Sequence, residues 1–361
     1  MPDEFEQTDL SRRAADKMLQ PSGGPMLTPL RHTPLLPGTL QNLFYPPREN
    51  EYTYFKRAPE LPFQSGDAIR KSAWAADAAM LAYARYGQRR MTDAELDANF
   101  DRADLTYEKI GTAADWNAPG TQAVFAGCAD FALCAFRGTE RDDPSDLLSD
   151  ADILLVHESD HRPVSQDPRP PLGHLAFVSH LFAEPSLVHR GFQRALDQVW
   201  EKVHTAVTDY RSRHPQAEIC FTGHSLGAAL AVLAYSRFGD PTISLYTFGC
   251  PRVGNSAFRD RVLSNTGRGI YRYVNYNDAV AHVPTESLFY RQTPEKCYRF
   301  DDDGNLDTED STFKGDVQSL QAAILGLPAS IRARDLDNIP APPSLVDHSP
   351  ARYCLRLWDF V

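Results

Sequence analysis

Apolar positions recur along this chain with two different periods, and the switches between them mark its elements. Residues 67–86 read as a helix, because Ile69, Ala73, Ala76, Met80, Leu81 and Tyr83 recur mainly at three- and four-residue steps with small alanines between them. Residues 123–125 and 131–136 read as two strands around a turn at 127–130. Residues 192–210 place Phe192, Leu196, Val199, Trp200, Val203 and Val207 on one face of an amphipathic helix. A strand at 218–222, a helix at Leu226–Phe238 and a strand at Ile243–Phe248 follow. A shorter helix at 257–264, a strand at 269–274 and a peripheral helix at 318–331 complete the pattern. Strands that alternate with helices predict a mostly parallel sheet covered on both faces.

Residues 1–60 show no such period. Pro21, Pro25, Pro29, Pro34, Pro37, Pro46 and Pro47, with Gly23 and Gly24, interrupt any regular element. This stretch is expected to be an extension, partly disordered or wrapping the core, with one α/β domain over residues 61–361. At 361 residues and 42% hydrophobic, the chain can support a large core. Its net charge of −11 repels phosphate backbones and disfavours nucleic-acid binding. The longest apolar stretch, residues 226–235, is about half of a membrane span. The first residues hold no apolar run of the kind a cleavable secretory signal needs, so a cytoplasmic protein, or one exported without such a signal, is expected. Six cysteines, at 128, 134, 220, 250, 297 and 354, are too sparse for a disulfide scaffold and form no CxxC pair. Cys128 and Cys134 flank a turn, and their pairing is left open.

The strongest chemical signal is Gly223-His224-Ser225-Leu226-Gly227, a G-x-S-x-G run between an apolar strand and a helix rich in Ala and Leu. A serine at a sharp strand-to-helix turn presents its hydroxyl clear of the sheet. The flanking positions must be small, or side chains would collide across the turn. His224 is expected to be packed or hydrogen-bonded rather than to act as the base, because neighbours on such a turn point in different directions.

Several segments together resemble the class 3 lipases. GHSLGAALA is similar to that family's nucleophile segment. Residues 135–140 (AFRGTE) resemble its oxyanion-hole strand end, 188–192 (VHRGF) the opening of the preceding helix, and 246–255 (YTFGCPRVGN) the strand and turn beyond the elbow. The likeness runs over about residues 73–354 and keeps the family's order. It implies an α/β-hydrolase fold with a mostly parallel central sheet and helices on both faces. It also implies a serine ester hydrolase, most simply a triacylglycerol lipase or esterase working through an acyl-enzyme.

A serine hydroxyl needs an imidazole to take its proton, and the imidazole needs a carboxylate to orient it. In this fold the chain order is serine, acid, histidine. Asp278 follows a strand and resembles the family's acid. His282 and His348 are the only histidines after Ser225. His348 is favoured as the base, its context resembling the family histidine followed by a tyrosine, here Tyr353. His282 is expected to line the pocket or pack, and Asp347 is the rival acid. For the oxyanion hole, Leu226 offers its backbone N–H, and Thr139 resembles the family position whose backbone and hydroxyl both contribute.

The family often carries a lid after the oxyanion strand. Here that segment (RDDPSDLLSDADILL) is short and acidic, which argues against strong interfacial activation; Asp150 or Asp152 resembles a family aspartate. Phe177 and Phe182, within LAFVSHLF, are candidates for an apolar acyl pocket. No metal or other cofactor is expected. The acidic run from Asp301 to Asp310 offers only a weak Ca²⁺ reading, since placing Gly304 at position six of an EF-hand loop would put Arg299 at position one. The partner is expected to be an acylglycerol or phospholipid, with a lipid–water interface as one setting for the encounter. Phospholipase A1 activity remains the main alternative, with Arg252, Arg259 or Arg291 as phosphate contacts. An acyltransferase and a non-catalytic lipid-binding protein on the same fold are more distant alternatives.

Overall fold

In this computed structural model the described residues are 26–44, 46–47, 51–56, 68–84, 91–112, 120–137, 154–158, 184–264, 269–294, 297–307, 340–341 and 343–361. Among them an eight-stranded sheet forms the centre. Its strands are β1 (Thr106–Gly111), β2 (Gln122–Gly127), β3 (Phe131–Arg137), β6 (Glu218–His224), β7 (Ile243–Phe248), β8 (Ile270–Asn275), β9 (Tyr298–Phe300) and β10 (Leu306–Asp307), in that spatial order. A separate two-stranded ribbon pairs β4 (Leu155–His157) with β5 (Leu187–His189).

The middle of the sheet is parallel, from β3 through β6, β7 and β8 to β9. The pairings of β1 with β2, β2 with β3 and β9 with β10 are antiparallel. Strands β3, β6 and β7 are buried along their whole length, as expected for strands covered on both faces. The helices are α1 (Leu40–Phe44), α2 (Ala68–Leu81), α3 (Asp93–Arg102), α4 (Arg190–Asp197), α5 (Trp200–Arg213), α6 (Leu226–Phe238), α7 (Ser256–Leu263), α8 (Pro343–Val346) and α9 (Pro350–Trp358). Two apolar layers result. One gathers α2 and α9 with Tyr52, Tyr54 and Phe55; the other gathers α4, α5 and α6. Parallel strands that run the same way end at the same edge, and β3, β6, β7 and β8 all end there.

Within the first layer Asp77 is fully buried and accepts from Tyr52 OH at 2.6 Å, Phe55 N at 2.6 Å and Trp358 Nε1 at 3.0 Å. Burial raises its carboxyl to about 6, against the lowering effect of those donors. This one side chain joins α2, the segment before it and α9.

Residues 26–44 form an N-terminal strap along the C-terminal segment. Leu27 bridges Leu306, and Ala341 N donates to Gly38 O at 2.7 Å. Thr33 N and Oγ1 donate to the Asp359 carboxylate, and Arg31 Nη2 donates to the Val361 carbonyl at 2.9 Å.

The structure departs from the periodicity in three places. The expected helix over 192–210 is two helices, α4 and α5, separated by a turn at 198–199. The break lets Trp200 pack its ring 5.1 Å from that of Phe238. The expected helix over 67–86 is helical from Ala68 to Leu81 and then becomes a turn over 82–84. Strand β1 was not expected, because an edge strand exposing Thr106, Glu108 and Lys109 has no apolar signal. All six cysteines are free thiols, so Cys128 and Cys134 do not pair. Among the described residues no helix is long and apolar enough to cross a membrane.

Candidate active site

Strand β6 delivers Ser225 to the convergent edge in a strained conformation, φ 56° and ψ −128°. The steric argument from sequence has a measurable counterpart. A Cβ on Gly223 would lie 2.3 Å from the Gly227 carbonyl carbon, and one on Gly227 would lie 2.0 Å from Phe136 O. The turn is held from two sides. Ser225 N donates to Phe248 O at 2.9 Å, and Ala228 N donates to Ser225 O at 3.0 Å. Leu226 opens α6, where a backbone N–H has no acceptor within the helix and the helix dipole favours negative charge.

Asp278 follows β8 after a turn closed by its own N–H, which donates to Asn275 O at 2.7 Å. Its carboxylate is fully buried. It accepts from His348 Nδ1 at 2.9 and 3.0 Å, from Tyr353 OH at 2.5 Å and from Val280 N at 2.9 Å. Burial works to raise this carboxyl, but the His348 charge and the His348 and Tyr353 hydrogen bonds outweigh it and hold the group down at about 2. An ionised carboxylate only accepts, so His348 Nδ1 carries a proton and Nε2 is the ring nitrogen turned away from the acid. His348 Nε2 is buried and has no hydrogen-bond partner among the described residues.

His348 occupies a turn between α8 and α9, with Pro350 at the start of α9, where the missing N–H costs nothing. Ser349 Oγ donates to Asn42 O at 2.6 Å, anchoring the turn to the N-terminal strap. Asp347, the rival acid, faces elsewhere: it accepts from Arg352 Nη1 at 2.9 Å and from Asn277 N at 3.3 Å. His282 lies buried in a 3₁₀ turn, Val280–His282, and its carbonyl accepts from Arg252 Nη1. Burial, then the neighbouring Arg272 charge, pushes its imidazole down to about 3. The structure thus joins Asp278 to His348, and Ser225 and Leu226 follow directly on His224, whose Nε2 lies 2.6 Å from the His348 carbonyl. Thr139, Phe177 and Phe182 lie outside the described residues, as do Asp150 and Asp152.

Gly249 was not singled out from sequence. It has φ +59°, and a Cβ on it would lie 2.6 Å from Asp278 Oδ2 and 2.9 Å from His348 Nδ1. The available signal was a glycine directly after an apolar strand, at the edge where the site had to form. The hydroxyl bond from Tyr353 to the acid was also missed, although Tyr353 had been noted beside the histidine.

The acidic run begins as a hairpin turn between β9 and β10. Asp301 Oδ1 accepts from Asn305 N at 2.8 Å, and Gly304 takes φ +88°. Residues 308–310 lie outside the described residues. Among those described, no group of three or more His, Cys, Asp or Glu is placed to hold a metal ion.

The family model for class 3 lipases matches residues 133–288, the stretch from β3 through the acid and beyond. Over that segment the chain is similar to the class 3 lipases. A protein of Fusarium solani described as a secreted mono- and diacylglycerol lipase is 36% identical over 124 residues, 34% of this chain and 36% of its own length. A lipase of Rhizomucor miehei is 34% identical over 128 residues, 34% of this chain and 35% of its own length. The matched part thus spans about a third of these curated relatives. The solved lipase of Rhizopus microsporus var. chinensis superposes with TM-score 0.51 at 22% identity, covering 88% of this chain and 96% of that one. Lipase II of Rhizopus niveus gives 0.50 at 23%, covering 70% and 89%. At these identities the structures establish the fold, which is the α/β-hydrolase fold.

Proposed function

We propose that this chain is a carboxylic-ester hydrolase that cleaves acylglycerols through an acyl-enzyme on Ser225. The observation that carries the reading is the His348–Asp278 pair: the acid holds Nδ1 and leaves a buried Nε2 with no partner among the described residues, at the edge where the strained Ser225 stands. His348 Nε2 takes the Ser225 Oγ proton as that oxygen attacks the ester carbonyl carbon. The oxyanion is met by the Leu226 N–H and by Thr139. Collapse of the tetrahedral intermediate breaks the bond to the alcohol oxygen, which receives the proton from His348. Water then repeats the sequence on the acyl-enzyme and frees the fatty acid. Phe177 and Phe182 are assigned to the acyl pocket, with the substrate drawn from a lipid–water interface. No metal takes part in this scheme.

A neutral substrate is favoured over a phospholipid because the candidate phosphate contacts are committed. Arg252 donates to the carbonyls of His282 and Pro284 and pairs with Glu286 at 3.0 Å. Arg259 pairs with Asp260 at 2.9 Å, and Arg291 Nη1 donates to the Tyr290 carbonyl at 2.9 Å.

The test is a panel of triacylglycerols, diacylglycerols, phospholipids and p-nitrophenyl esters of graded length, with and without EDTA. The expected result is fatty-acid release from acylglycerols, unchanged by EDTA and reduced on the order of 10⁴-fold or more in Ser225→Ala. Near-native turnover by Ser225→Ala would overturn the reading, and preferential phospholipid cleavage would overturn the substrate assignment.

A further inference from the structure

We propose that His224 is a positioning residue for this reaction: its ring, carried one residue before the nucleophile, grips the main chain of the base by donating Nε2–H to the carbonyl oxygen of His348. The claim rests on the ester-hydrolase reading above and adds to it a direct mechanical link between two members of the triad.

The geometry is specific. His224 Nε2 and His348 O are 2.6 Å apart and buried. A carbonyl oxygen only accepts, so the proton of His224 stands on Nε2. The two imidazole rings lie 4.5 Å apart, centre to centre, at 36°. Tyr353, the residue that donates to Asp278, closes the other side with its ring 5.8 Å from that of His224. Tyr83 OH donates to the His224 carbonyl at 3.0 Å and sets its ring edge-on to the same imidazole. His224 is thus gripped by residues near α2 and on α9, while its own ring grips the turn that carries the base.

This contact supplies what the acid alone does not. The bond from Asp278 to Nδ1 fixes the tilt of the His348 ring, and Asn42 and Asn275 hold the turn between α8 and α9 through Ser349 Oγ and the Asp347 carbonyl, but none of these partners lies on β6. Holding the His348 carbonyl from the residue next to Ser225 ties the turn to β6 itself, so that a shift of β6 carries nucleophile and base together. Burial, then the nearby His348 charge, pushes His224 down to about 3, so the ring stays a neutral donor through the working range. A misplacement of about 1 Å costs a reaction on the order of 100-fold.

The test uses the full chain, a soluble p-nitrophenyl ester and titration of Ser225 with a fluorophosphonate, so that kcat is expressed per reactive site. His224→Phe keeps the ring and removes the donor. His224→Asn is polar but too short to reach, and decides the matter if the Phe variant does not fold. His224→Gln places an amide N–H where the ring Nε2 stood. The expected result is a fall in kcat of about tenfold to a hundredfold in the Phe and Asn variants, with KM unchanged, and recovery to within about threefold in the Gln variant. A per-site kcat within about threefold of wild type for Phe and Asn, or a Gln variant as impaired as Phe, would show that His224 is only packing and would overturn the proposal. Absence of ester turnover in the wild-type protein is a separate outcome; it would overturn the underlying reading instead.

Discussion

Gly249 stands so close to Asp278 that a side-chain carbon built on it would lie 2.6 Å from Oδ2. Three constraints meet at this residue. Its φ of +59° disfavours any side chain, its neighbour Phe248 accepts the Ser225 N–H, and the acid–base pair packs against its Cα. Gly249→Ala is therefore expected to lose about 1–3 kcal/mol of stability from strain and overpacking. It should also lower kcat by far more than a comparable substitution at an exposed loop glycine. Thermal unfolding and per-site kcat check both; an alanine variant of native activity would show that the acid–base pair tolerates displacement.

Tyr353 is expected to matter through Asp278. Its hydroxyl donates to the carboxylate at 2.5 Å while accepting from Asn275 N at 3.0 Å. Tyr353→Phe leaves that backbone N–H without its acceptor and the carboxylate short of a donor, a loss of about 1.5–3 kcal/mol for a charged hydrogen bond. Asp278 is held at about 2 against an ordinary 3.8, so its contribution is complete above pH 3.8 and is lost as pH falls towards 2. In the Phe variant the carboxyl rises towards 3.8, so the fall in stability below pH 3.8 is smaller and levels off at a higher pH. Superimposable stability–pH curves for the two proteins would reject the coupling.

Two of the buried histidines, His224 and His282, carry a second pH dependence, also on the acid side. His224 and His282 are each pushed from 6.5 to about 3, chiefly by burial. Between those values the unfolded chain binds protons that the folded chain refuses, so stability falls as pH drops from 6.5 towards 3. His282→Gln should flatten that fall by up to about 1.4 kcal/mol per pH unit within the window. Urea unfolding at half-unit pH steps measures it. An unchanged slope would mean that His282 is protonated in the folded state.

The N-terminal strap is expected to brace the segment that carries the base. Thr33 and Arg31 together hold the Asp359 carboxylate and the Val361 carbonyl, while Asn42 O receives the Ser349 hydroxyl. Replacing Arg31 and Thr33 by alanine should free α9 at its end before it affects the sheet. Hydrogen exchange should then rise in residues 350–361 while α6 keeps its protection. Uniform exchange across both helices would show that the strap has no local effect.

Much of the site was legible before any coordinates because its parts are local. Gly223 is required by contacts within one turn, and an apolar strand before and a small-residue helix after are patterns of neighbouring residues, whereas the crowding at Gly227 comes from Phe136 on β3. Asp278 stood just past the end of a strand. The order of serine, acid and histidine is what the resemblance to the class 3 lipases implied. Strand β1 and the break between α4 and α5 were not legible, because a polar edge strand has no apolar period and a turn of two residues leaves the apolar face nearly continuous.

What the sequence by itself determined was the elbow, the alternation of strands and helices, and a short set of partners for Ser225. Tertiary structure alone decided which partners meet. Asp278 finds His348 across 70 residues, His224 finds the His348 carbonyl across 124, and Trp358 finds Asp77 across 281. No propensity or period encodes such pairs. Their distances are set by how α2, α9 and the strap pack on the sheet, which depends on the fit of the whole core and not on any segment read alone.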